Sequence, residues 1–284
     1  MSNDRDLKAK KPYRYLLGDS IRESNRLRRQ AALWDPHAHD LFDRLKVRRG
    51  WKVLEVGPGR GSLHLNLRHR VQGPIDAVER SAVFAKGIRS SSKADRLGDG
   101  RIWNCDLLEA DLPPDHYDLI FARWVFLFLP DPLGHLKLLV DALKPGGILA
   151  IQDYVRDTLN LLPRPPEWDA FMRADRAYFA SQGGDVNIGA KLPLLYQQAG
   201  LQTMEVRPHI KLGRPGEPTW RWLSDYFLGV MPQYEGLGKF GREHSNSLAV
   251  FWRSAARKPN SLIVAPTVLD VIGRKPSIGR SSSV

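Results

Sequence analysis

The chain has 284 residues, 42% of them apolar, and a formal charge of +12, which fits one decorated domain with enough apolar surface for a core. No apolar run approaches the roughly 20 residues of a membrane span, and residues 1–11 are charged with no hydrophobic region, so no spanning helix and no signal peptide are expected and the expected location is cytoplasmic. The single cysteine, Cys105, excludes an internal disulfide and any Cys cluster for zinc or iron–sulfur chemistry, and no metal is expected.

In chain order, Ser20 and Glu23 form a capping box for a helix predicted to end before Asp35-Pro36. Along it Glu23, Arg26, Leu27 and Gln30 follow three- and four-residue spacing and share one face. On composition alone that face also fits a solvated charged helix. Next, Val53-Leu54-Glu55-Val56 reads as a buried strand ending at Gly57-Pro58-Gly59-Arg60-Gly61-Ser62. Glycines there permit positive φ and let a ligand approach main-chain N–H groups. The apolar spacing of residues 60–70 predicts a helix whose N-terminus points at that ligand.

Residues 74–79 predict a second strand ending in Glu79, close to the roughly 20-residue offset at which an acid accepts from ribose hydroxyls. Residues 101–107 predict a third short strand, whose Asp106 is suited to accept from an exocyclic amine while Leu107 covers a ring face. A fourth strand, 117–122, leads into Arg123-Trp124, and the helix 132–143 stops at Lys144-Pro145-Gly146-Gly147 before a fifth strand, 148–153. Beyond it, helices are predicted over 166–181, 190–198 and 219–231, strands over 201–212 and 247–253, and a tail from 259 whose residues 261–272 pack as a strand or short helix and whose residues 273–284 are disordered. Charge alone also admits a nucleic-acid partner, but the basic residues are dispersed and interleaved with acids, which fits a solvated surface.

This order of glycine turn, two strand-end acids and Lys-Pro-Gly-Gly stop resembles the class I S-adenosylmethionine-dependent methyltransferases over about residues 52–154. The leader Tyr15-Leu16-Leu17-Gly18-Asp19-Ser20 with Glu23, Arg26-Leu27 and Gln30 is similar to that of a small-molecule subgroup. The resemblance implies an α/β fold: a Rossmann-like, doubly wound, mostly parallel seven-stranded sheet with an N-terminal helical leader (1–50), a methyltransferase domain (51–258) with cap insertions around 155–200 and 213–246, and a C-terminal tail (259–284). It implies S-adenosyl-L-methionine as cofactor, with Gly57, Pro58, Gly59 and Gly61 under the methionine part, Glu79 at the ribose, Asp106 and Leu107 framing adenine, Ala122 and Arg123 beside the sulfonium, Arg26 or Gln30 at the carboxylate, and Glu55 and Arg80 as further cofactor-binding residues.

The function implied is in-line methyl transfer to a small apolar or aromatic metabolite, O-methylation first, with N- and C-methylation open. Orientation can supply about 7–11 kcal/mol of the barrier, so no triad is required. Candidate bases are Asp153, Tyr154 and Tyr15; candidate acceptor-binding residues are Trp168, Phe171, Trp220 and Tyr226, which equally fit core packing. Where base-amine methyltransferases carry Asn- or Asp-Pro-Pro-aromatic, this chain has Ala122-Arg123-Trp124-Val125, so no specific nucleic-acid partner is expected. An RNA-modifying enzyme and a non-catalytic binding protein stay open as alternatives, and an NAD-dependent oxidoreductase is disfavoured by Lys-Pro-Gly-Gly and Asp106. The chain is expected to be a monomer or homodimer.

Overall fold

The computed structural model describes residues 21–277, with side chains from residue 26 onward. Tyr15 and the Ser20–Glu23 capping box therefore lie outside the described residues and side chains. The helix α1 (Ile21–Arg44) runs through Pro36 instead of ending before it. Proline forfeits one main-chain hydrogen bond and strains the preceding turn, yet Trp34, Ala38, Leu41 and Phe42 on either side of it are all buried at helical spacing. Packing of that face offsets the local break.

The expected alternation follows: β1 (Val53–Val56), α2 (Ser62–Val71), β2 (Asp76–Val78), α3 (Ala82–Ala94), β3 (Ile102–Trp103), a 3-10 turn at Leu107–Glu109, β4 (Tyr117–Arg123), a 3-10 turn at Phe126–Phe128, α4 (Pro132–Ala142) and β5 (Leu143–Val155). After a 3-10 turn at Arg156–Thr158 come β6 (Asn160–Leu162), α5 (Trp168–Ser181), α6 (Ile188–Gln198), β7 (Gln202–His209), β8 (Leu212–Gly213), α7 (Pro218–Gly236), α8 (Arg242–Ala255), β9 (Leu262–Val264) and β10 (Thr267–Arg274).

The main sheet has seven strands in the order β3-β2-β1-β4-β5-β10-β7. β1 to β5 are mutually parallel, and β10 is antiparallel to both neighbours. Residues of β1, β4 and most of β5 are buried on both faces, whereas the edge strand β7 is largely exposed. Leu54, Val56, Ile120, Ala122, Leu149 and Ile151 belong to one apolar layer, and Val53, Leu119, Phe121, Ile148 and Ala150 to the other, which they share with Ala38, Leu41 and Phe42 of α1 and Leu63 and Leu67 of α2. Continuous apolar runs of this kind are what a sheet covered on both faces requires. A small second sheet, β6-β9-β8, lies outside the main one.

Three further sequence expectations are corrected. Residues 247–253, expected as the last strand, lie inside α8, where Ser245, Leu248, Trp252 and Ala255 are buried and Val250 faces solvent. A short apolar run cannot be assigned to strand or helix by periodicity alone, and here the three- and four-residue spacing of the buried positions prevails. The strand that fills the sheet is β10, so Gly273 and Arg274, expected in a disordered tail, are hydrogen-bonded strand residues. Residues 278–284 lie outside the described residues. Helix α6, placed by the sequence in a cap, packs on β5, β7 and β10 as a regular covering helix of the sheet. Among the described residues no helix is long and apolar enough to cross a membrane.

Candidate active site

Strand register brings the sequence-predicted residues to one edge of the sheet. Val56 pairs with Val78 and with Ala122, and Val78 pairs with Trp103. Gly57, Glu79, Asn104 and Arg123 are consequently the next residues of four adjacent parallel strands, at their C-terminal ends, where open α/β sheets bind ligands.

The loop between β1 and α2 is built by glycines in the left-handed region. Gly57 has φ 65° and Gly59 φ 54°, and Gly61 at φ 80° leads directly into α2. Gly57 N–H donates to the Val78 carbonyl at 2.8 Å, and Gly61 N–H to the Pro58 carbonyl at 2.9 Å. A Cβ on Gly57 would stand 2.5 Å from Val125 Cγ2, whereas one on Gly59 would meet no atom within 4 Å. The loop is thus closed beneath Gly57 and open above Gly59.

Glu79 is fixed against this loop. Its Oε2 accepts from Gly59 N–H at 3.0 Å, its Oε1 accepts from Ser81 N–H at 2.8 Å, and it is 8% exposed. Burial pushes the carboxyl pKa above its usual range; the two N–H groups and Arg80 oppose that shift, and Glu55 adds to it. Asn104 braces the same turn, its amide donating to the carbonyls of Glu79 at 2.8 Å and Arg80 at 3.0 Å. Glu55 is buried below the loop with Oε2 3.1 Å from His64 Nδ1, which makes it a tie between β1 and α2. Asp106 caps the following 3-10 turn, accepting from Leu108 N–H at 3.3 Å. Its side chain stays 41% exposed beside His135, over a buried Leu107.

The end of β4 carries a feature that sequence spacing does not show. Trp124 has φ 55°, a left-handed conformation that is a genuine outlier for a bulky residue and concentrates at functional sites. Its N–H donates to the Gln152 carbonyl at 2.9 Å, and its ring stacks on Tyr154 with centroids 5.4 Å apart at 14°. Arg123 lies 4.7 Å over the Trp124 ring and donates to Asp35 Oδ1 at 2.7 Å.

Of the three candidate bases, Asp153 is fully buried. Its Oδ2 accepts from Leu127 N–H at 3.1 Å and its Oδ1 from Tyr154 N–H at 2.8 Å, so it clamps β5 to the 3-10 turn after β4. Burial pushes its pKa up to about 7 against the pull of those N–H groups. A base must first be within reach of its proton, and both oxygens of Asp153 are engaged by main chain. Burial also raises the Tyr154 phenol, opposed by Arg156, Arg26 and Arg123. Tyr15 lies outside the described residues.

Arg26 and Gln30 are buried, Arg26 Nη1 donating to Gln30 Oε1 at 2.6 Å, which also accepts from Trp222 Nε1 at 3.3 Å. The polar face of α1 is therefore packed against α7 rather than solvated. The cap aromatics split. Trp168 and Phe171, 1% and 0% exposed, pack with Phe227, and Trp220 stacks near Trp252 at 5.0 Å; these three fill core.

Tyr226 does not. Its hydroxyl donates to Asp175 Oδ1 at 2.5 Å, as does that of Tyr234 at 2.7 Å, and Arg156 lies between the Tyr154 ring at 5.0 Å and the Tyr226 ring at 4.8 Å. Burial disfavours the Arg156 charge, but Tyr226, Asp175, Tyr154 and Tyr234 outweigh it and hold its pKa above the usual value. Arg156, Asp175 and Tyr234 were not legible as site residues, because they come from three separate segments; the one available signal was the placement of Arg156 just past the fifth strand.

A family model described as methyltransferase domain matches residues 54–151. Trans-aconitate 2-methyltransferase of Rhodopseudomonas palustris strain BisB18 is 32% identical over 120 residues, covering 40% of this chain and 43% of that protein. Methyltransferase GfsG of Streptomyces halstedii is 25% identical over 201 residues, 70% of this chain and 69% of that one. The chain thus matches less than half the length of its trans-aconitate relative. Among solved structures, phosphoethanolamine N-methyltransferase 2 of Haemonchus contortus, in complex with phosphomonomethylethanolamine and S-adenosylhomocysteine, superposes with a TM-score of 0.53 at 16% identity over 86% of this chain and 53% of that one. The cyclase SpnF gives 0.56 at 16% identity over 86% and 82%. Likeness at that identity speaks for the fold.

Proposed function

Because this chain belongs, through residues 54–151, to the class I S-adenosylmethionine-dependent methyltransferase family, we propose that it binds S-adenosylmethionine and transfers the methyl group to a small organic acceptor, at oxygen first. The observation that carries the cofactor assignment is Glu79, a carboxylate held by two main-chain N–H groups on the rim of an open glycine loop. Held in that way, it has lone pairs left to accept from a ribose diol. The residues fit the cofactor in three further respects. Space above Gly59 admits a ligand against the backbone, the N-terminus of α2 favours an anionic group, and the exposed Asp106 with buried Leu107 offers an acceptor and an apolar face to a base.

When bound, S-adenosylmethionine supplies a methyl group already activated on a sulfonium. What this chain adds is alignment and exclusion of water. Trp124 and Tyr154, stacked at the ends of β4 and β5, form the wall against which an acceptor would lie, and the Asp153 clamp fixes the spacing of those two strand ends. Arg26 and Gln30 on α1 close the site from the side of α7.

Calorimetry tests the assignment. S-adenosylhomocysteine is expected to bind and NADH is not, and Glu79→Ala is expected to weaken S-adenosylhomocysteine by about 1.5–3 kcal/mol, the usual loss for hydrogen bonds to a charged group. Unchanged affinity in a folded Glu79→Ala protein would remove Glu79 from the site and with it the main support for the assignment.

A further inference from the structure

We propose that the methyl acceptor is a carboxylic acid bound as its carboxylate, with Arg156 as the residue that receives it, and this rests on the cofactor assignment above. Polar groups around the Trp124–Tyr154 wall are out of balance. Arg156 Nε, Arg123 Nη1 and Trp124 Nε1 are all buried N–H donors without an acceptor among the described residues. Buried donors are normally satisfied, and each one left over calls for an explanation. Among the described residues in contact with Arg156, the buried oxygen in the same state is Asp175 Oδ2. It lies 3.8 Å from Arg156 Nε, close enough to hold the charge in place and too far to take the hydrogen bond. A ligand completing this wall must therefore bring more acceptors than donors.

Arg156 is built as a receptor rather than as a surface charge. It is buried in the turn after β5, flanked by the rings of Tyr154 and Tyr226 with Phe179 at 6.0 Å. Asp175 is in turn fixed by the hydroxyls of Tyr226 and Tyr234. A planar guanidinium so confined is held as a fixed fork, the geometry that matches a carboxylate. The aromatic rings beside it suit the carbon body of a small organic acid.

Phenols, alcohols and ammonium groups must lose a proton before or during transfer, whereas a carboxylic acid is ionised at neutral pH without help. The side chain best placed by sequence to act as base, Asp153, has both oxygens on main-chain N–H groups and no exposure. An acceptor that arrives as an anion needs no base. In the step itself, one carboxylate oxygen forms a bond to the methyl carbon while the carbon–sulfur bond breaks. Its electron pair stays on sulfur, so that carboxylate and sulfonium give a neutral methyl ester and a neutral thioether, with no proton released.

The test uses the full-length protein, methyl-labelled S-adenosylmethionine and a panel of benzoate, phenylacetate, cinnamate and succinate, each set beside its amide and its alcohol. Methyl esters release the label as methanol in mild base, whereas ethers and methylamines do not. Base-labile product from one or more acids is expected, with none from the amides. Arg156→Gln should lower kcat/KM for that acid by about 10- to 100-fold, as for one lost charge-assisted hydrogen bond, with unchanged S-adenosylhomocysteine affinity. Arg156→Lys keeps the charge and loses the fork, and should fall between the two; it also serves if the Gln variant does not fold. Normal S-adenosylhomocysteine binding with no acid esterified, base-stable label only, or equal turnover by the Lys and wild-type proteins would overturn the carboxylate proposal and leave the cofactor assignment standing. Failure to bind S-adenosylhomocysteine would instead overturn the assignment beneath it.

Discussion

Replacing Asp175 by alanine is expected to destabilise the protein by about 3–5 kcal/mol, the range for removing one partner of a buried ion pair. Asp175 is 1% exposed, accepts from two tyrosine hydroxyls and is the carboxylate facing Arg156 at 3.8 Å. Without it the guanidinium loses the carboxylate that faces it and both hydroxyls lose their shared acceptor, each a penalty in its own right. Asp175→Asn retains one oxygen for the tyrosines but removes the charge, and should lose less. The urea midpoint measures both, with the slope of the transition checked for constancy. A loss below about 1 kcal/mol in the alanine variant, the level of an exposed ion pair, would mean that water reaches Arg156 freely and that the cluster is not the desolvated element described above.

The glycine loop gives the second large effect, and it separates stability from binding. Gly57→Ala places a Cβ 2.5 Å from Val125 Cγ2 at φ 65°. Val125 is β-branched and stiff at χ1, so it yields poorly. Left-handed strain of about 1–2 kcal/mol and overpacking of about 1–3 kcal/mol should add to a loss of about 2–5 kcal/mol in folding. Gly59→Ala carries the strain alone, because nothing lies within 4 Å of its Cβ. That methyl would point into the space assigned to the ligand. Gly59→Ala should therefore fold nearly normally and bind S-adenosylhomocysteine at least about 10-fold more weakly, one methyl clash being worth upward of 1.4 kcal/mol. Thermal unfolding with and without S-adenosylhomocysteine reads both quantities, and a Gly59→Ala protein stabilised by the ligand as strongly as wild type would place the ligand elsewhere.

What the sequence disclosed follows from how local its signals are. Gly57, Gly59, Glu79 and Asp106 were legible because each sits at the end of an apolar strand, and parallel pairing necessarily gathers such ends along one edge. The seventh strand was not legible, because residues 247–253 and 267–274 are both short apolar runs. Only the slot between β5 and β7 decides that Thr267–Arg274 is extended there. The continuation of α1 through Pro36 depended on a buried face that exists only once β4 and α2 are in place. Likewise, that Trp168, Phe171 and Trp220 would fill core while Tyr226 reaches a buried carboxylate was a matter of tertiary contact, to which helical spacing is blind. Arg156, Asp175 and Tyr234 lie on a 3-10 turn and two different helices, and no linear pattern joins them. Trp124 was hidden for a related reason: its left-handed φ of 55° is an outlier for a bulky residue, and nothing in the residue type announces it.

A crystal structure of the protein with S-adenosylhomocysteine tests the central claim most directly. The ribose hydroxyls are expected within hydrogen-bond distance of the Glu79 carboxylate, the adenine edge at Asp106 with its face on Leu107, and the sulfur turned toward the Trp124–Tyr154 stack. Ligand bound away from the loop of Gly57, Gly59 and Gly61, or bound there with the sulfur facing away from Trp124 and Tyr154, would contradict it.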